Sequence, residues 1–168
     1  MAIRKIMKLG EDALRKTCKR QEKFDLRLQA LLRDMADTMY KAEGVGLAAP
    51  QVGILRRVVV IDVGDGLVEL INPEITSVSE ETQCGREGCL SLPGRQGVVT
   101  RPLAVHLRAQ NRHGEPVEMD AEGFFARAVC HELDHLDGRL YIDVMDRELT
   151  PEEIEGHIPE DDAEDDAE

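Results

Sequence analysis

The chain lacks any apolar run long enough to span a membrane, and its first residues, Met1-Ala2-Ile3-Arg4-Lys5, lack the long apolar stretch of a secretory signal. Nothing in it points to export, so a cytoplasmic location without membrane binding is expected. Cysteine is scarce as well. The four, at 18, 84, 89 and 130, show none of the tight spacing of a disulfide framework. In a reducing compartment such cysteines are buried, metal-bound or catalytic rather than bridged. Basic residues are missing from the last stretch: Pro151 to Glu168 holds ten acidic residues and no Lys or Arg. A tail of that charge offers no patch for nucleic acid, and no direct nucleic-acid binding is expected. Internal repeats are absent too.

The net charge of −13 resides largely in that tail, because residues 1–150 hold 24 acids against 21 bases. With 168 residues the chain suits a single domain over 1–150, followed by an acidic appendage over 151–168. Self-repulsion and few apolar side chains predict disorder after about residue 159 and a solubilising role. Within the body a short helix is expected from Glu11 to Arg15. Asp25 can cap a longer one towards Lys41, with Leu28, Leu31, Leu32, Met35 and Met39 on one face. β-Branched Arg57–Val63, then Leu67–Asn72, Val98–Thr100, Leu103–Arg108 and Pro116–Glu122 read as strands joined by short turns. The fold class expected is α+β, with mostly antiparallel sheets packed around a central helix.

That helix carries the most informative stretch, His131-Glu132-Leu133-Asp134-His135. Between Gly123 and Gly138 there is no proline. Phe125, Val129, Glu132 and Leu136 form one stripe, and Phe124, Ala128, His131 and His135 the next. At 3.6 residues per turn, His131 and His135 project from the same face. Two imidazoles so placed can share a metal ion, and Glu132 beside them can take a proton from water. The same helical wheel puts Arg127 and Asp134 on the opposite side, where they are expected to be solvated.

Two histidines leave a catalytic metal one protein ligand short. Downstream candidates are Asp143, Asp146, Glu148, Glu152, Glu153 and His157, in no familiar arrangement. Upstream, Glu87-Gly88-Cys89-Leu90-Ser91 places Cys89 just before Pro93-Gly94, at a strand edge or turn. Cys130 adjoins His131 but points about 100° away round the helix. On these grounds alone Cys89 is an even choice, since a free cysteine is commonly a small buried hydrophobe. A third segment, Gly44-Val45-Gly46-Leu47-Ala48-Ala49-Pro50-Gln51, lets backbone approach a ligand closely and ends in one side-chain amide.

Taken in order, these three segments resemble the three motifs of the bacterial peptide deformylases. Asn72-Pro73 and Leu136-Asp137-Gly138 also look like that family, and the resemblance spans roughly residues 3 to 147. It implies that Cys89, His131 and His135 hold the metal and that Glu132 is the general base and then acid. It further implies that Gln51, by its amide, and Leu90, by its backbone N–H, hold the oxyanion. Gly46 would fix the substrate backbone, Val45 would line the methionine pocket with Phe124, Arg127 and Ala128, and Glu87 would support that pocket. The implied reaction removes the formyl group from N-formylmethionyl nascent peptides, releasing formate. Iron(II) is the implied ion in the cell, with zinc, nickel or cobalt able to replace it, and a monomer is expected. Some deformylases end in a basic helix proposed to meet the ribosome; here an acidic tail stands in its place, so proximity to the ribosome would not come by that route. Arg95 and Gln96 lie where family members vary. Two other readings stay open: an H-E-x-x-H peptidase with a downstream third ligand, and a non-enzymatic metal-stabilised module. The second has no use for a base at Glu132.

Overall fold

The computed structural model describes residues 2–156. Its helices are α1 (Leu26–Lys41), α2 (Phe124–Leu136) and the short α3 (Pro151–Glu155). Its strands are β1 (Gly46–Ala48), β2 (Val58–Ile61), β3 (Val68–Val78), β4 (Thr82–Cys89), β5 (Leu92–Pro102), β6 (Ala104–Gln110), β7 (Pro116–Glu122) and β8 (Arg147–Glu148). Five of them form one antiparallel sheet in the order β1-β2-β3-β6-β7, and β4-β5-β8 form a second. The α+β architecture with antiparallel sheets around a central helix is as expected from the sequence.

The five-stranded sheet is covered on both faces. Successive side chains of a strand point to opposite faces. Val58 and Val60 of β2 therefore pack with Leu28, Leu32, Met35 and Met39 of α1, while Val59 and Ile61 pack with Ala126, Val129, Leu133 and Leu136 of α2. This double burial explains why Arg57–Val63 reads as an unbroken β-branched run rather than an alternating one. Asp25 caps α1 as expected, its carboxylate accepting from Leu28 N–H at 3.1 Å.

β3 continues six residues past the expected end at Asn72. Pro73 cannot donate to a ladder, and Asn72 sits at φ 52°, so the chain bulges there before pairing resumes between Glu74 and Arg108. β4 was not legible, because Thr-Gln-Cys-Gly-Arg-Glu-Gly-Cys has no alternation and only one β-branched residue, Thr82. It nonetheless pairs with β5 along its length and ends at Cys89.

The second sheet lies against the side of α2 that the helical wheel left open. Arg127 and Asp134, expected to be solvated, are not. Arg127 is 5% exposed and the Asp134 side chain 18%, because that face of α2 meets β4 and β5 rather than water. Of the acidic tail, residues 151–155 form α3, capped by Thr150. Its Glu153 accepts from Arg86 through its carbonyl and pairs with Arg147. His157 and the disorder expected after about residue 159 lie outside the described residues.

Candidate metal centre and its cleft

Helix α2 presents His131 and His135 one turn apart, their rings edge to face with centroids separated by 5.1 Å. The end of β4 brings Cys89 against them, its Sγ 3.4 Å from His135 Nε2. One ligand atom from each of Cys89, His131 and His135 lies within 4.8 Å of the others. Ligand bonds of about 2.0–2.3 Å let one ion bridge the 3.4 Å between Cys89 Sγ and His135 Nε2, with His131 on the same side of the cluster. Four of the downstream alternatives are committed elsewhere: Asp143 to Arg15, Asp146 to Thr100, Glu148 to Arg95 and Glu153 to Arg147.

The chemistry of the cluster fits a divalent cation. A thiol and two imidazoles are the donors that zinc and iron(II) accept. His131 Nδ1 donates to Glu87 Oε1 at 2.8 Å, which leaves Nε2 as its ligand atom. Burial and the nearby His131 charge push His135 well below the usual histidine range, so its lone pair stays available. Burial also opposes a charged His131, but its bonds to Cys89 and Glu87 prevail and raise it well above that range. The surroundings thus favour positive charge at this point, which a metal ion can supply in place of a proton. Glu132 completes the group. Its Oε1 lies 3.8 Å from His131 Nε2, and its buried Oε2 has no hydrogen-bond partner among the described residues. Burial lifts Glu132 to about 7, with the His131 charge pulling the other way.

Glu87 is the centre of a buried ionic network that sequence reasoning missed. Its Oε2 accepts from Arg101 Nε and Arg127 Nη1, both at 2.8 Å, and its Oε1 accepts from Arg101 Nη2 at 2.9 Å as well as from His131. Arg101 Nη1 reaches on to Asp134 Oδ2 at 2.8 Å. Arg127, His131 and Asp134 lie three or four residues apart on one side of α2, so the network bolts that side to β4 and β5. One signal could have found Arg101: it shares a strand face with the buried Gly97 and Val99.

A cleft of about 480 Å³ opens over the cluster, lined by Val45, Gly46, Gln51, Leu90, Phe124 and Ala128 among others. Gln51 is oriented by Ala48 N–H, which donates to its Oε1 at 2.9 Å and turns its Nε2 towards Ser91 Oγ and Cys89 Sγ, at 3.1 and 3.5 Å. Leu90 forms the two-residue turn between β4 and β5 with Ser91. Val45 and Phe124 are exposed at the cleft, and Arg95 and Gln96 line it. Glu87 reaches the cleft wall, with its carboxylate turned to Arg101, Arg127 and His131. Gly46 has a local reason to be glycine: a Cβ there would stand 2.8 Å from Glu132 Oε1 and 2.9 Å from Glu132 Cγ. Gly46→Ala is therefore expected to displace Glu132 and lower kcat/KM about 100-fold. Steady-state kinetics beside a thermal melt check this, and undiminished turnover would show that the close approach is not needed.

The fold and the cluster define a small α+β protein with a Cys-His-His metal-binding group on an H-E-x-x-H helix. Known proteins agree with that description. The sequence pattern of the family described as Polypeptide deformylase matches residues 3–150. A peptide deformylase of Caldicellulosiruptor bescii is 56% identical over 155 residues, covering 92% of this chain and 93% of the relative. One from Acetivibrio thermocellus is 54% identical over 155 residues, covering 92% and 91%. The crystal structure of peptide deformylase from Thermotoga maritima superposes with a TM-score of 0.85 at 45% identity, covering 86% of this chain and 99% of that one. The chain belongs to the polypeptide deformylase family, and its function is that of a peptide deformylase.

Proposed function

We propose that this chain hydrolyses the formyl amide of N-formylmethionyl nascent peptides in a metal-dependent reaction, releasing formate in the cytoplasm. The observation that carries the reading is the convergence of Cys89, His131 and His135 beside an unpartnered Glu132 oxygen in one cleft. A divalent ion held by those three residues would lower the pKa of water and polarise the formyl carbonyl. We assign iron(II) as the ion in the cell on the family resemblance, with zinc, nickel and cobalt as replacements, since a set with one thiolate and two imidazoles suits all four.

Glu132 takes the proton of the attacking water and delivers it to the leaving amine nitrogen. Gln51 Nε2 and the Leu90 N–H donate to the formyl oxygen as negative charge develops there, each typically worth about 3 kcal/mol. Glu87 holds His131 in the tautomer and orientation that ligation needs. Val45, Phe124 and Ala128 give the methionine side chain an apolar wall, and Gly46 helps fix the substrate backbone while its missing Cβ leaves room for Glu132. The reacting group is small, and the Gly44–Ala49 wall excludes larger acyl groups, so an acetylated peptide is expected to be a poor substrate. The protein acts as a monomer, and any meeting with the ribosome is made by a surface other than the acidic tail.

Formate release from a formyl-methionyl tripeptide, with protein purified without oxygen and supplied with iron(II), tests this beside Cys89→Ser. Wild type is expected to release formate, and the variant to lose both bound iron and turnover. No formate from iron-loaded wild type would sink the proposal. Undiminished formate release by Cys89→Ser would remove Cys89 from the metal set, whereas cleavage of internal peptide bonds without formate would point to the peptidase reading.

A further inference from the structure

The two groups assigned to the oxyanion are held from outside the cleft by one short piece of chain. Met7 N–H donates to Gln51 O at 2.6 Å, and Leu9 N–H donates to Ser91 O at 3.0 Å. Between them, Lys8 Nζ donates to Leu90 O at 3.2 Å. Three consecutive residues therefore hold the carbonyls of Gln51, Leu90 and Ser91. This piece is itself braced by a turn. Lys8 N–H donates to Glu11 Oε2 at 2.6 Å, Glu11 N–H donates to Lys8 O at 3.0 Å, and Lys5 Nζ lies 3.6 Å from Glu11 Oε1. Gly10, at φ 102°, supplies the positive φ that the third position of a type II turn requires.

We propose that Lys8 is a positioning residue for deformylation, fixing the Leu90–Ser91 turn so that the Leu90 N–H and the Gln51 amide converge on one oxygen. The proposal rests on the roles assigned above to Leu90 and Gln51. Its physical basis is the geometry of a two-residue turn. The pairing register shifts between Gly88 and Cys89, so strand pairing alone leaves the turn's orientation adjustable. On one side the Leu90 side chain is seated over Gly44, where an added Cβ would come within 2.7 Å of Leu90 Cδ1. On the other side Lys8 holds the carbonyl. The Leu90 carbonyl and N–H lie in two peptide planes joined at the Leu90 Cα, so fixing the carbonyl plane together with the side chain fixes the frame at Cα and narrows the directions open to the N–H. Lys8 is exposed, and an exposed side chain of this kind contributes little to folding. Its loss is therefore expected in the rate and not in stability.

The test compares Lys8→Met, which keeps the apolar stem, with Lys8→Arg, which keeps a donor, in the full iron-loaded chain. Lys8→Met is expected to lower kcat about fivefold with KM within about twofold, and Lys8→Arg to restore most of it. Amide hydrogen exchange at Leu90 and Ser91 should speed up in Lys8→Met and not in Lys8→Arg. Unchanged kcat in Lys8→Met, a loss confined to KM, or failure of arginine to rescue would overturn the proposal. Gln51→Ala, run alongside, is expected to lower kcat about 100-fold. If it does so while Lys8→Met is silent, the Lys8 proposal alone falls. If Gln51→Ala leaves kcat unchanged, the oxyanion assignment fails and takes the Lys8 proposal with it.

Discussion

Glu132→Gln is expected to lower kcat by about 10²–10⁴-fold while leaving the bound metal in place. The substitution keeps size and shape in a site that is 4% exposed, so packing is undisturbed. It replaces an oxygen that can take a proton with an amide that cannot. The effect is specific because Glu132 is not one of the three clustered ligands, Cys89, His131 and His135. Elemental analysis and formate release, done on the same preparation, separate the two roles. Turnover within a factor of about three of wild type would remove Glu132 as the proton carrier, since general acid–base groups typically contribute far more.

Glu87→Gln is the second large effect, and it acts on the fold before the chemistry. The substitution leaves Arg101 buried with Asp134 as its remaining carboxylate partner and Arg127 buried with only the Gly85 and Val99 carbonyls, and breaking a buried ionic group in this way typically costs about 3–5 kcal/mol. For a chain of this length that corresponds to a fall in Tm of roughly 10 °C. Metal affinity should drop about 10–100-fold as well, because His131 loses the acceptor that orients it. Acid titration gives an independent reading. Burial alone would push Glu87 up, but the Arg101 and His131 bonds outweigh it and hold the carboxyl at about 2, against 4.5 for an ordinary glutamate. A folded-state pKa below the unfolded one means that the stabilisation is complete above pH 4.5 and is lost as pH falls towards 2. The wild type should lose about 3 kcal/mol over that window from this group, and Glu87→Gln should not. Matching acid unfolding curves for the two proteins would mean that the network does not hold Glu87 ionised.

What could be read from the sequence follows from how local each cause is. Helix α2, the capped α1 and strand β7 were legible because periodicity, a capping aspartate and flanking turn residues all lie within a dozen positions. The Cys89 ligand was not legible from spacing alone. Its place beside His131 depends on β4, whose small and polar residues give no strand signal, and only the resemblance of three motifs singled it out. Glu87 was legible as a site residue but not as the hub of a network. Arg127 and Asp134 were misplaced because they lie opposite the Phe125–Val129–Leu136 stripe, whereas at four and three positions from His131 they share its side, where the second sheet packs. Gly46 was legible as a close-approach position, but that Glu132 is what it approaches needed the third dimension.

The ligand set also joins distant parts of the chain. Cys89 ends a strand of the smaller sheet, whereas the histidines sit on the helix that packs on the larger one, 42 and 46 positions further on. An ion held by all three acts as a removable cross-link closing a long loop, and a ligand that binds only the folded form stabilises it in proportion to RT ln(1 + [L]/Kd). On the metal dependence proposed above, the supply of metal in the cell would set more than the fraction of working enzyme. It would also set how often β4 and α2 part company, and so how quickly idle copies are cleared by proteolysis.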